Sequence, residues 1–400
     1  MPGLAATATA QPWNNVVEYS VSAVKSYPQG IAAGADGALW FTEIGANAIG
    51  RITTAGSVTA YPLPNADSQP AGIAAGPDAA LWFTEQYGNR IGRITTAGMI
   101  TEYPVPTANS RPNAIAAGPD GALWFTESLR NKIGRITISG VITEYPVPTA
   151  YGGGIAAGPD GALWFSEYAA GKIGRITTSG VYTGYPVPPP GGFPFGITAG
   201  PDGALWFTEF NGGIGRITTA GSVTEYPLPI GDSQQGGITT GPDGALWFNV
   251  QNGRTDLGIG RITTSGVITE YTVPTAVSYP IGITAGPDGA LWFTEYYGNN
   301  IGRAPACGLG FSASFTNGTL TMNFDLGIST PATWYANVTS AAGTKQLWSK
   351  PIPAVIPPTP LTLMFGPDFP DEGNVTIVSG LQTAPNEGLC YETAAVNTGP

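Results

Sequence analysis

Seven near-copies of one phrase occupy most of the chain: Gly-Pro-Asp-Gly-Ala-Leu-Trp-Phe-Thr-Glu, followed after a short gap by Ile-Gly-Arg. The tryptophans of the copies lie 42, 42, 40, 42, 41 and 45 residues apart, at Trp40, Trp82, Trp124, Trp164, Trp206, Trp247 and Trp292. A repeat of this length holds four short strands, and an array with this period is typical of a β-propeller rather than a helical solenoid. The sequence therefore predicts an all-β fold, a seven-bladed β-propeller with one blade per copy.

The third copy shows how one repeat divides into strands. Tight turns are indicated by Pro119-Asp120-Gly121 and by Ser139-Gly140, because these residue types tolerate the backbone angles that hairpins need. Short runs of small, apolar and β-branched residues lie around the turns, at 114–117, 122–126, 133–137 and 141–145. Four such runs predict one four-stranded antiparallel blade.

The last copy indicates how the ring closes. It stops at Arg303 without the outer strand that follows Ile-Gly-Arg in the other copies. The segment 16–19 (Val-Val-Glu-Tyr) precedes the first copy and matches the outer-strand segment 142–145 (Ile-Thr-Glu-Tyr). We therefore predict that the N-terminal strand completes the last blade, which removes an exposed sheet edge.

The repeat boundaries predict three regions: a flexible N-terminal segment (1–14), the propeller (15–303) and a small β-sandwich-like domain (304–400). Polar and apolar residues alternate in the third region, as at 319–324, in the manner of half-buried strands.

The only two cysteines, Cys307 and Cys390, bracket the third region. A disulfide between them would contribute about 4 kcal/mol in the loop-entropy model. Two buried free thiols are the alternative. A disulfide would fit an oxidising compartment, so we expect a secreted or periplasmic protein.

Charge and composition limit the partners. The net charge is −11 with an isoelectric point near 4.4, which argues against nucleic acid and anionic membrane surfaces. No apolar run is long enough to cross a membrane, so no membrane insertion is expected. We expect a monomer whose partner is a small-molecule or polymeric ligand.

Three stretches of the repeat carry a family resemblance: 282–295 (Gly-Ile-Thr-Ala-Gly-Pro-Asp-Gly-Ala-Leu-Trp-Phe-Thr-Glu), 131–137 (Asn-Lys-Ile-Gly-Arg-Ile-Thr) and 142–148 (Ile-Thr-Glu-Tyr-Pro-Val-Pro). Together they resemble the streptogramin B lyase family, also called virginiamycin B lyases, over residues 15–303. The resemblance implies a seven-bladed propeller that opens a cyclic depsipeptide antibiotic at its ester bond by elimination, with a magnesium ion and a histidine base.

The catalytic residues that the resemblance implies are missing. The chain has no histidine, and the family's Pro-His-Gly-Ile histidine position holds Gln29, Ala71, Asn113, Gly153, Phe195, Gly236 and Ile281. The position two residues earlier, where the family has a metal-binding glutamate, holds Tyr27, Gln69, Arg111, Tyr151, Phe193, Gln234 and Tyr279. None of these residues is a base near neutral pH, and none is a carboxylate. The resemblance therefore implies the scaffold without the catalyst.

Glutamates at the ends of the second strands persist. They are Glu43, Glu85, Glu127, Glu167, Glu209 and Glu295, with Asn249 assigned to this place in blade six. Clustered carboxylates bind a cation or share protons, so a divalent cation (Mg²⁺ or Ca²⁺) at Glu43, Glu85, Glu209 and Glu295 is one hypothesis.

Another hypothesis is that Glu127 or Glu167 acts as the catalytic base that activates a water. The structural interpretation is that the glutamates form ion pairs with the repeated arginines Arg51, Arg93, Arg135, Arg175, Arg216, Arg261 and Arg303.

A candidate ligand-binding rim lies just before and at the start of the inner strands, where the copies differ most. Its residues are Tyr27, Gln29, Gln69, Arg111, Asn113, Tyr151, Phe193, Phe195, Gln234 and Tyr279. Such a mixture suits a planar, partly apolar ligand or a sugar-like chain, and Arg111 would orient a carboxylate or carbonyl. Ordinary variability of surface loops is the alternative. The Trp-Phe pair of every copy is predicted to be core between blades.

Three functions remain open. The first is a secreted binding propeller without the family's chemistry. The second is a hydrolase that cleaves an aromatic ester or polyester with a glutamate-activated water, and the third is a structural surface protein. A serine triad is excluded because there is no histidine, and zinc-type cysteine pairs and phosphate-binding Gly-Lys loops are absent from the sequence.

Overall fold

The computed structural model describes residues 11–12, 16–21, 25–148, 152–189, 192–210, 212–228, 236–250 and 258–305, and seven strands between residues 310 and 397. The chain divides into two compact units, Met1–Ala304 and Pro305–Pro400. Within the described residues no helix is long and apolar enough to cross a membrane.

Seven sheets form the blades of the first unit, and each has four antiparallel strands; the sheet of blade six has a fifth strand at its outer edge. The inner strands are Pro28–Ala33, Pro70–Ala75, Pro112–Ala117, Gly152–Ala157, Pro194–Ala199, Ile238–Thr240 and Pro280–Ala285. The second strands are Leu39–Glu43, Leu81–Glu85, Leu123–Glu127, Ala162–Glu167, Leu205–Glu209, Leu246–Val250 and Ala290–Glu295. The third strands are Ala48–Ile52, Arg90–Ile94, Lys132–Ile136, Lys172–Thr177, Gly213–Ile217, Gly258–Ile262 and Asn300–Pro305. The outer strands of blades one to six are Val58–Pro62, Ile100–Pro104, Ile142–Pro146, Tyr182–Pro186, Val223–Pro227 and Ile268–Thr272, and a short 3₁₀ helix spans Tyr168–Ala170.

The ring is closed as predicted. Each inner strand contacts the inner strands of both neighbouring blades, including blade seven with blade one. The outer strand of blade seven is the N-terminal segment Val17–Ser20, which pairs antiparallel with Asn300–Pro305 so that Val17 lies opposite Arg303. One strand was not predicted: Gln11–Pro12 runs parallel to the outer strand of blade six.

The N-terminal strand also makes the side-chain contacts of an outer strand. The Glu18 carboxylate accepts hydrogen bonds from the Thr275 amide (2.9 Å) and hydroxyl (2.5 Å). In blade three, Glu144 accepts the same pair of bonds from Thr107, at 2.9 and 2.7 Å. The seven-bladed propeller and its closure by the N-terminal strand are therefore confirmed.

The Trp-Phe pairs form the core between blades. All seven tryptophans are fully buried, and Trp124 of blade three packs against Leu163 and Phe165 of blade four. The outer-strand tyrosine of the same blade, Tyr145, stacks on Trp124 with ring centroids 5.4 Å apart. This prediction is confirmed, because each blade buries its largest side chain against the next one.

Each repeated arginine pairs with an aspartate rather than a glutamate. In blade three, the Asp120 carboxylate accepts from Trp124 Nε1 (3.0 Å) and from Arg135 Nε (2.6 Å). The same ion pair recurs in all seven blades at 2.6–2.8 Å. The expected Glu–Arg pairs are wrong because Arg135 lies opposite Trp124 in the sheet, close to the turn aspartate, whereas Glu127 lies opposite Lys132.

The second unit is described by its backbone. Gly310–Thr316, Thr319–Asp325 and Leu363–Met364 form one antiparallel sheet, and Lys345–Ile352, Ala332–Thr339, Asn374–Gln382 and Cys390–Asn397 form another. Cys307 lies outside the described residues, so its disulfide with Cys390 stays a prediction. The sandwich packing and the flexibility of residues 1–14 also stay predictions.

The closure predicts a stability effect at Tyr19, which stacks on Trp292 with ring centroids 5.7 Å apart. Tyr19→Ala should lower the free energy of unfolding by about 1–3 kcal/mol, because it removes the ring that packs the N-terminal strand onto blade seven. Tyr145→Ala, the matched change within blade three, should have a similar effect. Thermal unfolding followed by tryptophan fluorescence measures both. An unchanged Tyr19→Ala protein beside a destabilised Tyr145→Ala protein would contradict closure by the N-terminal strand.

Candidate ligand-binding face

One face of the propeller gathers the variable residues of the repeats. In six of the blades the inner strand begins opposite the end of the second strand, as Pro112 does opposite Glu127. The linker that leads into the inner strand therefore meets the turn that follows the second strand. In blade three, the Ser128 amide donates to the Arg111 carbonyl at 3.2 Å and the Leu129 amide donates to Ser110 at 3.1 Å. We call the surface formed by these linkers and turns the linker face.

The last linker residue of five blades has left-handed backbone geometry. The φ angles are 52° at Tyr27, 50° at Gln69, 51° at Arg111, 54° at Phe193 and 57° at Tyr279. Such angles are unfavourable for residues with a side chain and persist where the surroundings hold them, often at ligand sites. Here the turn holds them: the Tyr296 amide, for example, donates to the Tyr279 carbonyl at 3.0 Å. The adjoining turns thus hold the backbone of these five predicted rim residues in one geometry.

Four tyrosines meet on the linker face where blade seven adjoins blade one. Tyr27 stacks on Tyr296 with ring centroids 4.9 Å apart, and Tyr279 lies 5.1 Å from Tyr297. Tyr296 and Tyr297 meet edge to face at 5.0 Å. Tyr297 is 61% exposed, whereas the other three rings are half-buried. We call these four residues the tyrosine cluster.

A second aromatic group lies where blade four adjoins blade five. Tyr168 contacts Phe193 at 5.3 Å and Phe210 at 6.0 Å between ring centroids. Phe193 is 42% exposed. We call these three residues the phenylalanine cluster. Exposed rings held against one another present apolar area that loses little freedom when a ligand binds.

The contact between blades two and three is polar. The Arg111 guanidinium lies 4.5 Å from the ring centroid of Tyr87, which is 55% exposed. Nearby in the same two blades, the Gln86 side-chain amide donates to Asn113 Oδ1 at 2.6 Å.

The remaining predicted rim residues have varied positions. Gln29 and Phe195 are half-buried at the starts of their inner strands, and Gln69 is half-buried in its linker. Tyr151 and Gln234 lie outside the described residues. Sequence reasoning missed the ring partners Tyr87, Tyr168, Phe210, Tyr296 and Tyr297. The available signal was that they follow the Trp-Phe-x-Glu strand at positions that differ between copies.

The strand-end glutamates lie beneath the linker face. Glu43, Glu85 and Glu127 are fully buried, and in the described part of the chain neither carboxyl oxygen of any of them has a hydrogen-bond partner. Burial raises the pKa of Glu127 to about 7; Glu144 adds to this, and Lys132 and the Ser110 hydroxyl oppose it. A group with such a pKa is partly protonated at neutral pH.

Glu43 shows the same behaviour without a neighbouring charge. Burial raises its pKa to about 7, against a lowering influence of the nearby Ser26 hydroxyl. That hydroxyl donates to Asn299 Oδ1 at 3.0 Å, so it does not satisfy the carboxyl group.

Three other blades give the glutamate different partners. Glu167 accepts from the Tyr182 hydroxyl at 2.6 Å. Glu209 accepts from the Gly192 amide at 3.0 Å, and burial together with Glu225 raises its pKa to about 9. Burial and Glu18 raise the pKa of Glu295 to about 8.

The assignment of Asn249 to the glutamate place was wrong. Val250 stands three residues after Trp247, as Glu127 stands three after Trp124, and it is buried in the core. Asn249 takes the place of the repeated threonine, and its side-chain amide donates to the Ile281 carbonyl. Blade six therefore replaces the buried acid with an apolar side chain.

The described residues do not fit a shared metal site. No group of three or more histidine, cysteine, aspartate or glutamate side chains among them could hold a metal ion. Glu43, Glu85, Glu209 and Glu295 are buried in four separate blades. A cation at these residues stays a prediction without support from this geometry.

The two candidate catalytic carboxylates are equally enclosed. Glu127 and Glu167 are fully buried. A general base must come within hydrogen-bond reach of the proton that it removes, directly or through one water. Both carboxyl groups therefore lie apart from the exposed surface where a substrate would arrive.

Comparisons with known proteins agree with the fold. The Virginiamycin B lyase family model matches residues 5–181 and 152–309. A streptogramin B lyase structure is 38% identical with a TM-score of 0.68, and the match covers 72% of this chain and 96% of that one. A virginiamycin B lyase from Staphylococcus aureus is 40% identical with a TM-score of 0.68, covering 72% and 98%.

A third structure is a catalytically inactive histidine-to-alanine variant of the Staphylococcus aureus enzyme with quinupristin. It is 39% identical with a TM-score of 0.68, and the match covers 72% of this chain and 98% of that one. No curated protein matches the chain.

The buried carboxyl groups predict how stability depends on pH. The pKa of Glu43 is about 7 in the folded protein against an ordinary value of 4.5, so its stabilising contribution is complete below about pH 4.5 and is lost as the pH rises through about 7. Glu43→Gln should therefore raise the free energy of unfolding by about 1–3 kcal/mol near pH 8.5 and change it little near pH 4. Urea unfolding at both pH values measures this.

Glu144→Gln is the matched control, because the environment of Glu144 lowers its pKa. Its hydrogen bonds with Lys132 and Thr107 stabilise the ionised form of Glu144 in the folded protein. Glu144→Gln should therefore lower the free energy of unfolding near pH 8.5. A Glu43→Gln protein that is less stable than wild type at both pH values would contradict this prediction, because it would show that the ionised Glu43 carboxylate stabilises the folded protein.

Proposed function

Because the chain belongs to the virginiamycin B lyase family, we propose that it is a binding propeller whose linker face holds a partly aromatic ligand, either a small molecule or a polymer. We further propose that it lacks the family's histidine-dependent elimination. The two cysteines at the ends of the second region favour a secreted or periplasmic location, which is also part of the proposal.

The observation that carries this proposal is the arrangement of aromatic rings on one face. The tyrosine cluster and the phenylalanine cluster lie on different blade contacts of the same face, and each exposes a ring that its neighbours hold in place. The backbone of Tyr27, Phe193 and Tyr279 is held in left-handed geometry by the adjoining turns. Rings fixed in this way suit ligand recognition more than core packing, because part of their surface remains in water.

The absence of histidine supports the second part of the proposal. The chain contains no histidine at all. In the related Staphylococcus aureus enzyme, the histidine-to-alanine variant is described as catalytically inactive and was solved with quinupristin. A family scaffold that lacks the base can thus retain a binding face.

The two alternatives have weaker support. An ester hydrolase needs a carboxylate that reaches a water beside the substrate, but Glu127 and Glu167 are fully buried. A purely structural surface protein would have no reason to gather the exposed rings of Tyr87, Phe193 and Tyr297 at one face.

Calorimetric titration with quinupristin tests the binding function. Wild-type protein should bind, and Phe193→Ala or Tyr297→Ala should each weaken binding by about 5- to 30-fold, because each removes an exposed ring. Ile138→Ala is the control, since Ile138 is 51% exposed on the turn between the third and outer strands of blade three. Equal affinity in the ring variants and the control would contradict binding at the linker face.

Mass spectrometry of the recovered ligand separates binding from catalysis. We expect unchanged quinupristin, and unchanged aromatic esters and polyester oligomers, after incubation with and without EDTA. A product heavier by one water would establish hydrolysis. Ring opening without added water would show that elimination proceeds without histidine. Either product would overturn the proposal that the propeller only binds.

A further inference from the structure

We infer that the linker face of blade three carries a carboxylate-binding subsite formed by Arg111, Tyr87 and Arg130, so that the ligand combines an aromatic portion with an acidic group. This inference rests on the proposed function, because the subsite lies on the same face as the aromatic clusters. The subsite indicates a negative charge on the ligand, whereas the aromatic clusters indicate only that the ligand has an aromatic portion.

Most arginines of this chain have a structural partner. Seven of them pair with turn aspartates at 2.6–2.8 Å, and Arg90 lies 3.9 Å from Glu102. Among the residues that the structure describes, Arg111 and Arg130 have no carboxylate within ion-pair distance. In a chain with a net charge of −11, two arginines without a carboxylate in one blade are unusual. Their positive charge is available to an external anion.

Arg111 is held in a geometry that suits a planar anion. It is exposed, its φ angle is 51°, and its guanidinium lies 4.5 Å from the centroid of the Tyr87 ring. Contact with the ring occupies the face of the guanidinium and leaves the N–H groups at its edge for a ligand. A carboxylate accepts two parallel hydrogen bonds from such an edge.

Arg130 lies on the turn that is bonded to the same linker. Its Nε donates to the Ala108 carbonyl at 3.2 Å, and the neighbouring Ser128 amide donates to the Arg111 carbonyl at 3.2 Å. These two hydrogen bonds hold the linker against the turn, and each segment carries one guanidinium group, Arg111 on the linker and Arg130 on the turn. An anion bound by Arg111 is stabilised by the second positive charge, which makes the pair more favourable than either arginine alone.

The subsite differs from the other contacts of the linker face. Blade seven meets blade one through tyrosines, and blade four meets blade five through Tyr168 and Phe193. Blade two meets blade three through an arginine on an exposed ring. The edge of one flat guanidinium offers two parallel N–H donors, and a carboxylate accepts both of them.

Competitive binding of an acid and its amide tests the inference. We expect 4-phenylbutyrate to bind the wild-type protein at least about tenfold more tightly than 4-phenylbutyramide at low salt. Only the acid carries a negative charge and accepts two parallel hydrogen bonds from the Arg111 guanidinium. Arg111→Gln should make the two affinities equal, and Arg130→Gln should reduce the preference by a smaller factor. Calorimetric titration at two salt concentrations measures both.

Lys25→Gln is the matched control, because Lys25 is an exposed cation on the linker before blade one and also has positive φ, 60°. It removes the same unit of charge and should leave the preference unchanged. Equal binding of acid and amide by wild-type protein would overturn the carboxylate subsite and leave the aromatic binding face standing. No binding of either compound would overturn both. Retained preference for the acid in Arg111→Gln would overturn the assignment of the subsite to this arginine.

Discussion

The other parts of the propeller depend on the close approach of neighbouring inner strands, which threonine side chains of the second strands bridge by hydrogen bonds. In blade one, the Thr42 hydroxyl accepts from the Gly30 amide (2.9 Å) and donates to the Ala71 carbonyl of blade two (2.7 Å). The bond from Thr294 to Gln29, at 2.8 Å, joins blade seven to blade one. The strands approach so closely that a Cβ at Gly30 would lie 2.5 Å from the Ala71 carbonyl oxygen. Because the inner strands are this close, the linker into one blade contacts the turn that follows the second strand of the preceding blade, as Arg111 contacts Tyr87.

The residues that recur in every blade stabilise the fold, whereas the residues that differ between blades are the candidates for ligand binding. The Asp-Trp-Arg contacts recur in all seven blades, which marks them as architecture. The buried glutamates recur in most blades, but blade six uses Val250 instead, so the fold does not require them. Binding specificity needs asymmetry, and the asymmetry lies in the residues of the linker face. Tyr27, Arg111 and Phe193 hold equivalent places and differ in chemistry.

Much of the fold could be predicted from the sequence, because period and turn residues act locally. The tryptophan spacing predicted the blades, and Val17–Ser20 was recognisable as an outer strand from its pattern. The ion pairs were not predictable in the same way, because Asp120 was interpreted as a turn residue only. The partners of Tyr27 and Phe193 were missed because Tyr296 and Tyr168 reach them across blades, and sequence spacing does not report such contacts.

A crystal structure of the protein with quinupristin would show whether the linker face binds a ligand that the protein leaves unchanged. We expect an intact ligand on the linker face, with an aromatic group against the tyrosine cluster or the phenylalanine cluster. A ligand bound on another surface, or an opened ring on the linker face, would contradict it.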